Sequence, residues 1–177
     1  YVRPELQDVV QPALVGWWGH ARPFAFDLDF VPAPGIIRQQ CGTQPILSMT
    51  ALDAALDVWD DVDLKDLHAK SKTLCQLLIK LVEEKNSRHG LKLFGSRDME
   101  NRGSHVSFHC LEGYAVMQAL IAHGVIGDFR MPDVIRFGIT PLYTSYVEIW
   151  DAAAILARIL DEKLWNRPEF LAKKAVT

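Results

Sequence analysis

Hydrophobic and polar positions change character near residue 45. Before it no period holds, because Pro4, Pro12, Pro23, Pro32, Pro34 and Pro45 and the glycines Gly16, Gly19, Gly35 and Gly42 break every run. Proline removes a backbone donor and glycine loosens the chain, so long helices are not expected there. The stretch is still rich in aromatic side chains: Trp17, Trp18, Phe24, Phe26 and Phe30. An irregular segment with so much apolar area is expected to be ordered by a partner chain or a neighbouring segment.

From Ile46 to about Trp59 the apolar positions Leu47, Ala51, Ala54, Ala55 and Val58 recur at helical spacing. A longer helix is predicted from about Asp63 to Arg88, with Leu64, Leu67, Ser71, Leu74, Leu78 and Leu81 as its stripe and Gly90 as its stop. Leu91–Phe94 and Ser104–Cys110 read as strands, and Glu112–His123 as a helix with Val116, Ala119 and Leu120 inward and Gly124 at its end. Val125–Phe129 and Val134–Ile139 read as two more strands around a turn at Pro132. Ser145 and Glu148 have the spacing of a capping box for a last helix running to about Leu164, with Ile149, Ala152, Ala153, Leu156, Ile159 and Leu160 buried. Beyond Pro168 a frayed basic tail is expected.

This order predicts an α+β fold, with helices packed on one face of a small, mainly antiparallel sheet. The predicted division is an irregular segment over residues 1–45 and a small α+β domain over residues 46–177. Composition fits a folded globular chain, at 49% hydrophobic and 23% charged. A net charge of −3 gives no footprint for nucleic acid or an acidic membrane. No apolar run approaches the roughly 20 residues that span a bilayer, and no signal peptide is visible. The three cysteines Cys41, Cys75 and Cys110 are far apart and form no CxxC, which fits reduced thiols in a cytoplasmic protein. The absence of an initiator Met fits a processed start or a fragment of a longer protein.

Four places carry candidate chemistry. Trp17 and Trp18 lie between glycines; they are either buried aromatics closing a turn or, through an indole N–H, donors to a ligand anion. His20 follows as either a structural hydrogen-bonder or a site residue. Gly42-Thr43-Gln44-Pro45 is a helix entry, with Thr43 as cap and Pro45 in the first turn, and the same geometry suits an anion. Arg136 interrupts an apolar strand, so it is either half of a structural salt bridge or a fork for a ligand carboxylate, with Gly138 letting the chain turn toward Thr140-Pro141-Leu142-Tyr143. His105 and His109 share a strand face, but no third ligand stands at a recognisable spacing, so no metal is expected. There is no GxSxG, Walker A or GxGxxG motif.

Taken in order, Gly16-Trp17-Trp18-Gly19-His20, Cys41-Gly42-Thr43-Gln44-Pro45-Ile46, Arg102-Gly103-Ser104-His105-Val106-Ser107-Phe108, Glu112-Gly113-Tyr114-Ala115-Val116, Gly124-Val125-Ile126-Gly127-Asp128 and Arg136-Phe137-Gly138-Ile139-Thr140-Pro141-Leu142-Tyr143 resemble the C-terminal part of kynureninase. The resemblance implies a fold-type-I enzyme that uses pyridoxal 5'-phosphate (PLP) and works as a cytoplasmic homodimer with active sites at the subunit interface. It implies hydrolysis of L-kynurenine or 3-hydroxykynurenine to anthranilate or 3-hydroxyanthranilate and L-alanine, a step in tryptophan catabolism and NAD biosynthesis. By position, Trp17 would donate to the PLP phosphate and Thr43 would reach the phosphate of the neighbouring subunit's cofactor. His20 would lie near the substrate's aromatic end, and Arg136 would hold its α-carboxylate.

The family's Schiff-base lysine has no counterpart here; the region that carries it belongs before Tyr1. The resemblance therefore implies that this chain, taken alone, is inactive. Two other readings are a stand-alone, non-catalytic dimerisation module and a different class V aminotransferase-like enzyme or cysteine desulfurase. The Gly-Trp-Trp-Gly-His run argues against the last.

Overall fold

The computed structural model describes residues 1–173, which fall into two compact units, Tyr1–Asp61 and Val62 onward. The contact boundary lies one helix later than the division predicted at residue 45.

In the first unit only one turn, α1 (Pro4–Gln7), and one longer helix, α2 (Ile46–Leu56), are α-helical. The stretch between them is tied by its own polar groups rather than by an apolar core. Arg38 is buried and donates to the carbonyl of Ala33, the carbonyl of Asp8 and the Asp8 carboxylate. A buried guanidinium must be paired, so this one side chain fixes three points of irregular chain. Gly16 presses on the Cys41 backbone; a Cβ there would stand 1.7 Å from the Cys41 carbonyl oxygen.

α2 forms where periodicity predicts it, and every residue in it is exposed, including Leu47 on the apolar stripe. The stripe has no cover within this unit. Thr43 does not cap α2: Pro45 occupies the N-cap position and no side chain bonds the first turn. Proline has taken the place where a hydroxyl would have to sit.

The second unit holds α3 (Leu64–Asn86), β1 (Lys92–Phe94), β2 (His105–His109), α4 (Gly113–Ala122), β3 (Asp128–Arg130), β4 (Val134–Gly138), α5 (Tyr146–Asp161) and α6 (Pro168–Leu171). The strands make one four-stranded sheet in the order β1-β2-β4-β3, antiparallel throughout. The expected α+β layering holds. Val106, Phe108, Phe129, Ile135 and Phe137 alternate toward a core shared with the stripes of α3, α4 and α5. Asp63 caps α3, and Ser145 with Glu148 forms the predicted capping box.

Two elements differ from expectation. Val125–Gly127 is not strand, because the Val125 N–H still bonds the Leu120 carbonyl and Gly124 carries a φ of 86° as the chain leaves α4. Past Pro168 the chain is not frayed through its described length. α6 packs Phe170 on the core, and the Tyr114 hydroxyl donates to the Ala172 carbonyl. The end of the predicted tail lies outside the described residues.

Cys75 and Cys110 are buried and Cys41 is exposed. Burial pushes the Cys75 thiol up, and pushes that of Cys110 up to about 11. A thiol titration at neutral pH should therefore label Cys41 quickly and the other two only on unfolding. Three thiols reacting at one rate would contradict this packing.

Candidate functional site

Trp17 lies in a single 3-10 turn, Trp17–Gly19, and Gly16 brings that turn against the Cys41 backbone. The two motifs of the first unit are thereby placed side by side. A methyl at Gly42 would stand 3.9 Å from the Trp17 Nε1, so bare backbone borders the indole N–H. Among the described residues that N–H has no bonding partner, and Thr43 beside it is exposed with its hydroxyl unbonded. The indole contributes a donor with no acceptor of its own, and the Thr43 hydroxyl, next to Gly42 in the chain, can donate as well. Trp18 packs on Trp17 at 4.6 Å between ring centroids; its own N–H is buried and has no partner among the described residues.

Trp17 and His20 line one cleft of about 570 Å³ with Phe24, Phe26, Leu28 and Phe30. His20 is buried beneath it. Its Nδ1 accepts from the Arg22 backbone N–H at 2.8 Å. That fixes the neutral tautomer: the ring proton is on Nε2, which faces the Asp29 carbonyl at 3.2 Å. His20 therefore shapes the loop carrying the aromatic wall, and its ring edge lines the cleft. The Arg22–Asp27 ion pair at 2.7 Å closes the same loop.

Arg136 stands at the middle of β4, opposite Ser107 on β2 and Asp128 on β3. Its neighbours Ile135 and Phe137 enter the core, so alternation turns Arg136 to the sheet face away from the helices. There its Nε lies 3.0 Å from Asp128 Oδ1 and its Nη2 lies 2.6 Å from Oδ2. These hydrogen bonds, with the charge of the carboxylate, push the guanidinium further above its ordinary range. Asp128 is also approached by Arg130, at 3.4 Å.

Gly138, on the same face of β4, is not at a forced turn; a Cβ there would meet nothing within 4 Å, so the space beside Arg136 is open. His109 bonds Asp133 at 3.0 Å, and no group of His, Cys, Asp and Glu that could hold a metal exists among the described residues.

The structure thus brings Trp17 together with His20 and Gly42 in the first unit, with Thr43 next in the chain, and sets Arg136 on the sheet of the second. Sequence reasoning missed Asp128 as the partner of Arg136. The signal was present: in a hairpin turning on Pro132, residues equidistant from it face each other, which pairs Asp128 with Arg136. Arg38 was missed because nothing local links it to Asp8.

A family model described as the kynureninase C-terminal domain matches residues 67–156, about half of the chain. The chain belongs to the kynureninase family. A kynureninase from Pseudomonas fluorescens is 49% identical over 177 residues, which is 100% of this chain and 42% of that protein. The chain thus spans well under half the length of the curated kynureninase it matches. Among solved structures, an apo cysteine desulfurase from Thermococcus onnurineus NA1 superposes with a TM-score of 0.72 at 18% identity, over 92% of this chain and 42% of that one. A variant of C-DES with glycine covalently linked to its PLP cofactor superposes at 0.70 and 20% identity, over 89% of this chain and 40% of that one. At such identities these neighbours share the fold, the small α+β domain of fold-type-I enzymes predicted from the sequence.

Proposed function

We propose that this chain forms the phosphate-binding corner and the substrate-carboxylate clamp of a PLP-dependent kynureninase. The activity proposed is hydrolysis of L-kynurenine, or its 3-hydroxy form, to an anthranilate and L-alanine. The observation that carries it is the Trp17 N–H, without a bonding partner among the described residues, beside bare Gly42 on a side chain that also lines the aromatic-walled cleft. Such a donor fits a phosphate. In this reading Trp17 and Thr43, lying on adjacent motifs, serve one phosphate, that of a cofactor anchored in a second copy of the chain, rather than two cofactors as the resemblance implied. When bound, PLP supplies the electron sink that lets a carbon–carbon bond of the amino-acid substrate break. Phe24, Phe26, Leu28 and Phe30 give the substrate ring an apolar wall held in place through His20, and Arg136 takes the α-carboxylate. Work as a homodimer in the cytoplasm is part of the same proposal; for association, the support is the exposed apolar residues of α2 and of the loop at Phe24–Leu28, which call for cover.

In this reading the covalent anchor for the cofactor lies outside residues 1–177. The unit with Trp17 and Thr43 contains no lysine. All nine lysines lie in the other unit, where three of them are engaged on its surface: Lys72 with Glu100, Lys80 with Glu84, and Lys85 over Trp150. Residues 1–177 alone, mixed with PLP and borohydride, should give no reduced adduct at a unique lysine, and should not turn over kynurenine. The full-length protein should give one such adduct, at a lysine outside these residues. A stoichiometric adduct within residues 1–177 would sink the proposal that the anchor lies elsewhere.

A further inference from the structure

We infer that Asp128 is a positioning residue for substrate-carboxylate recognition, holding one edge of the Arg136 guanidinium so that the opposite edge is presented to the ligand. The inference rests on the clamp role proposed for Arg136 and adds the group that aims it.

A guanidinium carries five N–H donors in a rigid plane. Asp128 occupies the side edge, through Nε and Nη2. The end edge, with one N–H from Nη1 and one from Nη2, remains, and it is spaced for a second carboxylate bound two-pronged. Nη1 has no partner among the described residues. An arginine on a half-exposed sheet face has many rotamers; the cross-strand carboxylate selects one and lowers the ordering that a ligand would otherwise impose.

Charge supports the same role. Arg130 shares Asp128, so two guanidiniums stand against one carboxylate and the group retains positive charge for an incoming anion. The backbone is built for this register. A Cβ at Gly127 would stand 2.6 Å from the Arg136 carbonyl oxygen, so the glycine lets the chain close on β4 where Asp128 meets Arg136. The open space above Gly138, on the same face, gives a ligand its approach.

A fold-stabilising ion pair would show the same bonds, so the test must read carboxylate recognition itself. In the full-length protein, KM and kcat for L-kynurenine are measured beside the inhibition constant of its decarboxylated amine, for wild type, Asp128→Asn, Arg136→Ala and the double variant. Asp128→Asn is expected to raise the KM for L-kynurenine roughly tenfold, less than Arg136→Ala does, with kcat little changed. Affinity for the amine should not move, and in the Arg136→Ala background Asp128→Asn should add nothing.

A normal KM for Asp128→Asn beside a raised KM for Arg136→Ala overturns the inference and leaves the clamp standing. So does an equal loss for acid and amine, or an undiminished effect in the double variant. A normal KM for Arg136→Ala itself defeats the clamp reading. Should Asp128→Asn fail to fold, Asp128→Glu carries the test: it keeps the charge but displaces the guanidinium, so preference for acid over amine should fall, and an unchanged preference overturns the inference.

Discussion

Arg136→Ala in the full-length protein is expected to weaken L-kynurenine binding by ~2–5 kcal/mol, the cost of removing one side of a charge pair that the bound ligand shields from water. The loss should be in KM. Stability should change far less. The Arg136–Asp128 pair is partly exposed, with 37% and 34% of the two side chains accessible, and such a pair contributes about 1 kcal/mol or less. Arg136→Lys should recover only part of the binding, because an ammonium keeps the charge but cannot bridge two carboxylates as a planar fork can. Steady-state kinetics set beside a denaturant melt separate the two effects. An unchanged KM, or a binding loss no larger than the stability loss, would argue that Arg136 serves only the hairpin.

The second large effect is expected from the smallest substitution. A methyl at Gly16 would fall 1.7 Å from the Cys41 carbonyl oxygen and 2.6 Å from its carbon. Both are backbone atoms, so no side chain can rotate away and one segment must move off the other. Gly16→Ala should cost about 3 kcal/mol, the upper end of ordinary overpacking. It should also separate Trp17 from Gly42, lowering PLP affinity in the full-length protein and altering tryptophan fluorescence. Gly42→Ala is the contrast: its new methyl would make an ordinary contact, 3.9 Å from the Trp17 Nε1, and stability should hold. Equal melting midpoints for the Gly16 variant and wild type would show that the two motifs are not pressed together as described.

The helices were legible because their information is local. A stripe such as Leu74, Leu78 and Leu81 on α3 announces both the helix and its buried face, and Ser145 with Glu148 announces where α5 begins. Periodicity says that a face is apolar, not that something covers it. This is why the spacing placed α2 but carried no information on whether its apolar stripe is covered. Thr43 failed as a cap for a related reason: spacing put a hydroxyl near the helix start, but the backbone at Pro45 decided which residue took the cap position.

The candidate residues Trp17, His20, Thr43 and Arg136 were each visible as residue types suited to their chemistry. Their partners were not. His20 had two open readings until the Arg22 N–H was found on Nδ1 and the Asp29 carbonyl beside Nε2. Arg136 had two as well, salt bridge or ligand fork. The structure shows the salt bridge occupying one edge and leaving the other, so the bridge and the proposed fork are compatible.

By itself the amino-acid order determined the α+β succession, the helix faces, the cap of α5 and the family motifs, since each depends on neighbours a few positions away. Tertiary structure alone decided that Gly16 meets Cys41, that Arg38 binds Asp8, that α2 lacks cover and that Asp128 holds Arg136. Those depend on which distant backbones close on one another. Hydrophobic burial, being non-directional, drives that closure but leaves the pairing to close packing and to buried charges that must find partners.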